Sequence, residues 1–157
     1  MQEEKLIRVL VVEDHEPTTH LIQMAFEARG ERVHWDLCFA KDGREALEYL
    51  FRQGAHAGAA LPDFVLLDWN LPKISGQEVL CMLRSCEELQ TLPVLVFSSS
   101  QADDDVDAAY RARANGYIPK PTELNELFVV VENIEKFWVH TARLPSRNTR
   151  GASGSTS

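Results

Sequence analysis

The chain has 157 residues, 45 % hydrophobic and 25 % charged, which is enough for one domain with a good core. Its formal net charge of −8 argues against nucleic acid as the main partner, because phosphate binding needs a basic face. No apolar stretch approaches the ~20 residues that span a bilayer, and the acidic, polar start from Met1 to Lys5 is no signal peptide, so no membrane partner and a cytoplasmic location are expected.

The first apolar run, residues 6–12, is β-branched and predicts a buried strand that ends in acid, Glu13-Asp14. Pro17 suits the first turn of the following helix, where Glu16 complements the helix dipole. Leu21, Ile22, Ala25 and Phe26 fall at helical spacing, and Gly30 is the expected stop. Residues 33–39 read as a more polar strand near the sheet edge. Lys41-Asp42-Gly43 reads as a turn, and Ala46, Leu47, Leu50 and Phe51 mark a second helix. Residues 53–60 form a loop of small residues.

Residues 64–67 are an apolar run that ends abruptly in Asp68, after which Trp69, Asn70, Leu71 and Pro72 turn the chain away. Such a run reads as a strand buried on both faces. Ser75-Gly76 precedes a third helix with Val79, Leu80 and Leu83 inward. Residues 92–97 are another buried strand, ending in Ser98-Ser99-Ser100. Asp103, Asp104 and Asp105 open a fourth helix expected to reach about Ala114. Their alternative as a calcium loop lacks further ligands. Residues 116–119 are a short strand leading to Lys120-Pro121. Thr122 is the expected cap of a long last helix with Leu124, Leu127, Phe128, Val131, Ile134 and Trp138 on its core face. After Leu144 the composition turns to Ser, Gly, Thr and Arg. Residues 1–144 are thus expected to form one domain, and 145–157 a disordered tail.

Five strands alternating with five helices predict an α/β doubly wound parallel sheet of order 2-1-3-4-5. Ligands bind beyond the carboxyl ends of such strands, at the switch point between the first and third. Glu13, Asp14 and Asp68 should meet there. Three carboxylates so placed repel unless a cation is present, and Mg²⁺ is a hard ion that takes carboxylate, carbonyl and water oxygens. Asp14 and Asp68 are the expected direct ligands, Glu13 acts through a water, and the backbone carbonyl of Asn70 completes the protein set. A carboxylate beside Mg²⁺ can attack a phosphoryl group whose other oxygens are neutralised. Ser98 and Lys120, at the ends of the fourth and fifth strands, supply a hydroxyl and an ammonium for that purpose. A cis bond at Pro121 would fold the lysine over the site, and an ordinary trans turn proline is the alternative.

The acidic pair Glu13-Asp14, Asp68 ending the third strand, Ser98, Tyr117 and Lys120-Pro121 resemble the receiver domain of two-component response regulators, over residues 6 to about 141. The resemblance implies a flavodoxin-like receiver and a function as a single-domain response regulator. A histidine kinase would pass its phosphoryl group to Asp68, with Ser98 and Lys120 contacting the phosphoryl oxygens. It also implies that Tyr117 is a switch aromatic, turning inward as Ser98 engages phosphate. Residues 68–73, the long preceding loop and Phe137-Trp138 look like the stand-alone regulators that partner bacterial and cyanobacterial phytochromes. Asn70 and Ser100 lie where side chains help or hinder a hydrolytic water.

Other readings are weaker. A haloacid-dehalogenase-like phosphatase wants an acid where Asn70 stands. A flavodoxin-like FMN carrier wants a Ser/Thr/Gly phosphate loop where Glu13-Asp14-His15-Glu16 stand. A receiver-like module that only binds partners would not need the set Asp14, Asp68, Ser98 and Lys120. Cys38, Cys81 and Cys86 show no metal spacing and read as reduced thiols. The five histidines are scattered, with no partner at ligand spacing. The chemistry is single-turnover on the protein itself with slow self-dephosphorylation, so no enzyme is expected. Output must come from binding. Val129, Val130 and Phe137 widen the apolar band of the last helix, which predicts a homodimer through that helix and the fifth-strand edge.

Overall fold

The computed structural model describes residues 5–29 and 33–145, so Gly30 and residues 146–157 of the expected tail lie outside the described residues. Five strands form one parallel sheet: β1 (Lys5–Val12), β2 (Val33–Ala40), β3 (Phe64–Leu67), β4 (Val94–Ser98) and β5 (Gly116–Pro119). Their order is β2-β1-β3-β4-β5, as the alternation of elements predicts. The helices are α1 (Glu16–Glu27), α2 (Gly43–Leu50), α3 (Gly76–Ser85), α4 (Asp103–Arg111) and α5 (Leu124–Glu135).

The alternation of side chains along each strand sorts the core into two layers. Val65 and Leu67 of β3 join Leu10, Val12, Val94 and Val96 on one face, under Leu50 of α2 and Leu80 and Leu83 of α3. Phe64 and Leu66 join Val9, Val11, Leu95 and Phe97 on the other, under Phe26 of α1 and Val131 of α5. Every residue of β3 is therefore buried. That is why its sequence is an unbroken apolar run, and why the first polar residue after it marks the exit from the sheet.

Local details correct several expectations. Gly43 is the first residue of α2 rather than a turn residue. Asp42 caps the helix by accepting a 2.8 Å hydrogen bond from Glu45 N–H, a cap worth ~1 kcal/mol. The loop at 53–60 contains a short turn at Gly54–His56, and Tyr49 Oη donates to the Ala60 carbonyl at 3.1 Å. α4 ends at Arg111, short of Ala114, and Arg113 takes a left-handed conformation with φ 70°. Thr122 does not cap α5. Glu123 occupies the cap position without a side-chain bond.

α5 passes into a π-helical segment, Lys136–Thr141. A wider turn rotates the side chains that follow it relative to α-helical spacing. Val139 is thereby buried, while Phe137 stays 56 % exposed. Trp138, expected inside, is only partly buried against Phe64 at 4.7 Å, and Leu124 and Phe128 are likewise only partly buried. No peptide among the described residues is cis, so Lys120-Pro121 is an ordinary trans turn.

Candidate functional site

The carboxyl ends of β1, β3, β4 and β5 deliver Glu13, Asp68, Ser98 and Lys120 to one edge. Backbone hydrogen bonds continue the sheet just far enough to fix each. Glu13 N–H donates to Ala40 O at 3.0 Å, Asp68 N–H to Val12 O at 3.0 Å, and Lys120 N–H to Ser98 O at 2.8 Å. Glu13 (3 % exposed), Asp68 (4 %) and Ser98 (0 %) are buried, whereas Asp14 is exposed. One carboxylate oxygen from each of Glu13, Asp14 and Asp68 lies within 4.8 Å of the others.

Lys120 Nζ sits between the buried acids, 2.7 Å from Glu13 Oε2 and 3.2 Å from Asp68 Oδ2. Burial and the Asp68 charge raise the Glu13 carboxyl above its usual range, against the lowering effect of Lys120. Burial pulls Lys120 down, but Glu13 and Asp68 outweigh it and the ammonium ends above its ordinary value. Glu13 is thus raised chiefly by burial and Lys120 by its two acid partners. Three carboxylates face one ammonium here, and a divalent cation would offset the excess negative charge. Glu13 Oε2 faces Lys120 as an ion pair but without hydrogen-bond alignment, which leaves a buried oxygen with capacity to spare. The donor set is all oxygen and fits a hard divalent ion.

The remaining geometry surrounds Asp68. Its Oδ1 accepts from Asn70 N–H at 3.1 Å. Ser98 Oγ accepts from Asn70 Nδ2 at 3.3 Å and from Ser100 N–H at 3.1 Å. Those bonds use its lone pairs and leave its own proton to give. Tyr117 is half-buried, and its Oη donates to the Ser100 carbonyl at 2.7 Å. The Phe97 ring lies 6.0 Å from Lys120 Nζ. All the predicted site residues thus stand at one edge, with Tyr117 behind the β4–α4 loop.

Two supports escaped the sequence reading. A side chain at Gly76 would place Cβ 2.4 Å from Asp68 O and 2.8 Å from Trp69 Cα. At Gly43 it would meet Ile74 O at 2.4 Å. Helices α3 and α2 therefore press their first residues against the loop that carries Asp68. The signal was present: a glycine in a helical turn costs ~1 kcal/mol relative to alanine, so it marks a close approach.

Comparison with known proteins identifies the family. The family described as response regulator receiver domain matches residues 9–132. Response regulator Rcp1 of Synechocystis is 36 % identical over 138 residues, covering 88 % of this chain and 92 % of Rcp1. The probable methanogenesis regulatory protein FilR2 of Methanothrix harundinacea is 40 % identical over 139 residues, covering 87 % of this chain and 86 % of FilR2. The structure of the phosphorylated cyanobacterial phytochrome response regulator RcpA superposes with a TM-score of 0.83 at 41 % identity, over 89 % of this chain and 99 % of that one. The Mn²⁺-bound form of Rcp1 gives 0.82 at 35 %, with the same coverage. The chain belongs to the response regulator receiver family.

Proposed function

We propose that Asp68 of this receiver accepts a phosphoryl group from the phosphohistidine of a histidine kinase. A carboxylate oxygen of Asp68 attacks phosphorus in line as the P–N bond breaks, and the imidazole leaves with the electron pair and gains a proton. The Ser98 hydroxyl donates to one phosphoryl oxygen and the Lys120 ammonium pairs with another. Asp14, Asp68 and the Asn70 carbonyl, with Glu13 through a water, would hold Mg²⁺, which would neutralise charge on the transferring group. The convergence of the acidic trio with Lys120 at one sheet edge carries this reading. The family supports it, and Rcp1 has been crystallised with Mn²⁺. The chemistry is single-turnover on the protein itself, with slow self-dephosphorylation.

The state is read out through Ser98 and Tyr117. Below β5 an apolar cavity of about 420 Å³ is lined by Tyr117, Ile118, Val130, Ile134, Phe137 and Trp138, with Val129 and Phe137 exposed beside it. A second copy of the chain would cover this surface, giving a homodimer through α5 and the β5 edge. The likeness to RcpA, a cyanobacterial phytochrome response regulator, favours a phytochrome-type histidine kinase in the cytoplasm as the donor. Among the described residues, no helix is long and apolar enough to cross a membrane.

Incubation with Mg²⁺ and acetyl phosphate, followed by intact mass, tests the chemistry. One phosphoryl group should be gained, and lost on chelation of the metal or in Asp68→Asn. An adduct that survives Asp68→Asn overturns the assignment. Sedimentation tests the dimer: a monomer at tens of micromolar, phosphorylated or not, refutes it.

A further inference from the structure

We propose that Ser100 is a positioning residue that ties the Ser98 hydroxyl to the first turn of α4 through the Asp105 carboxylate. The proposal rests on the reading of Ser98 as a phosphoryl contact. Ser100 is held from four directions. Its N–H donates to Ser98 Oγ at 3.1 Å, and its carbonyl accepts Tyr117 Oη at 2.7 Å. Its Oγ accepts from Ala102 N–H at 3.3 Å and donates to Asp105 Oδ2. On the other side, Ser98 Oγ accepts from Asn70 Nδ2 at 3.3 Å, and Asn70 N–H donates to Asp68 Oδ1 at 3.1 Å. A continuous chain of hydrogen bonds therefore joins Asp68, Asn70, Ser98, Ser100 and Asp105.

The last link is more than a favourable helix charge. Ala102 stands at the cap of α4 and has no side-chain oxygen to offer. Asp103, Asp104 and Asp105 all lie in the first turn, so each complements the dipole. Asp105 alone among them bonds to Ser100. The start of α4 is thus anchored from outside the helix, on a residue whose backbone answers to Ser98. When Ser98 Oγ turns toward a phosphoryl oxygen, the acceptor of the Ser100 N–H moves. Ser100 shifts with it and carries Asp105. α4 then reports the state of the pocket through the Asp105 side chain, beside the bond that Tyr117 Oη makes to the Ser100 carbonyl.

Contiguity alone does not establish coupling, so the test measures coupling. Amide hydrogen exchange of residues 102–107 is compared in the full chain with Mg²⁺, with and without beryllofluoride, a tetrahedral phosphoryl analogue. Acetyl phosphate uptake by intact mass is measured in parallel. The parent should change its exchange in this segment several-fold on adding the analogue. Asp105→Ala and Ser100→Ala should take up phosphoryl yet lose most of that difference, and Ser100→Thr should retain it. Asp104→Ala removes the same charge from the same turn and should behave like the parent.

A full difference in Asp105→Ala overturns the proposal. So does an equal loss in Asp104→Ala, because the dipole would then be responsible. A parent that takes up phosphoryl with no change in α4 also overturns it. A parent that forms no adduct instead refutes the phosphoacceptor reading, so the two failures are distinguishable.

Discussion

Gly76→Ala puts a single methyl group between α3 and the strand end that carries Asp68. The added Cβ falls 2.4 Å from the Asp68 carbonyl oxygen and 2.8 Å from Trp69 Cα, where ordinary contact starts at 3.4 Å. Either the helix start or the Asp68-Trp69 backbone must retreat by about 1 Å. Gly76 N–H also donates to Trp69 O at 3.2 Å, so the two segments are already joined and the strain passes to the loop. Overpacking of this kind costs ~1–3 kcal/mol, and alanine returns at most ~1 kcal/mol of helix propensity. A net loss of ~0–2 kcal/mol lowers Tm by only a few degrees in a chain of this size. The chemistry is more sensitive, since a displacement of ~1 Å in a reacting group costs ~100-fold in rate. Initial rates with acetyl phosphate and Mg²⁺, followed by intact mass, should therefore fall ~10–100-fold while the protein stays folded. Gly43→Ala presses on Ile74 O rather than on Asp68, and should slow the reaction less. A Gly76→Ala protein that reacts at the parent rate would refute the view that α3 sets the position of Asp68.

Three further outcomes follow from the charges. Lys120→Met removes the ammonium that contacts Glu13 and Asp68. With a Lys side chain 19 % exposed, the loss should be ~2–4 kcal/mol by urea unfolding without Mg²⁺, and Mg²⁺ should recover part of it; unchanged stability would contradict the charge accounting. Burial alone would raise the Glu135 carboxyl, but Arg29 Nη2 at 2.9 Å and His140 outweigh it and hold it below the ordinary 4.5. A depressed carboxyl contributes stability above its unfolded pKa, and that contribution disappears as pH falls through the folded value. The parent should thus lose stability below about pH 4.5, and Glu135→Gln should flatten that limb in unfolding curves taken against pH. Arg84 is 5 % exposed and donates to the carbonyls of Leu89, Gln90, Leu92 and Arg113 and to Asn115 Oδ1. Arg84→Met strands these acceptors at the entry to β4 and β5 and should cost ~3–5 kcal/mol, with phosphoryl uptake preserved at temperatures where the variant is folded.

The sheet and the site were legible because both are written in the strand ends. An apolar run that stops in Asp68, another that stops in Glu13-Asp14, and two more that stop in Ser98 and Lys120 can be read without coordinates, and the alternation with helices orders them. What was not legible depends on contacts between elements. β5 ends at Pro119 as the sequence suggests, yet Glu123 rather than Thr122 stands at the α5 cap, and no side-chain bond marks it. The π-helical segment that turns Val139 inward has no local sequence signature; within it Trp138 packs on Phe64. Asp105 looked like one of three equivalent helix-start acids until its bond to Ser100 separated it. Arg84 drew no reading from sequence, and only the carbonyls gathered around it reveal a buried cation.

The most direct test of the account is to locate the phosphoryl group itself. The full chain is phosphorylated with acetyl phosphate and Mg²⁺, reduced with borohydride to turn an aspartyl phosphate into homoserine, digested and mapped by peptide mass. The account predicts homoserine at residue 68, none at Asp14, and no 5-hydroxynorvaline, the corresponding glutamate product, at Glu13. Homoserine elsewhere, or an unmodified residue 68 in a chain that gained phosphoryl mass, would contradict it.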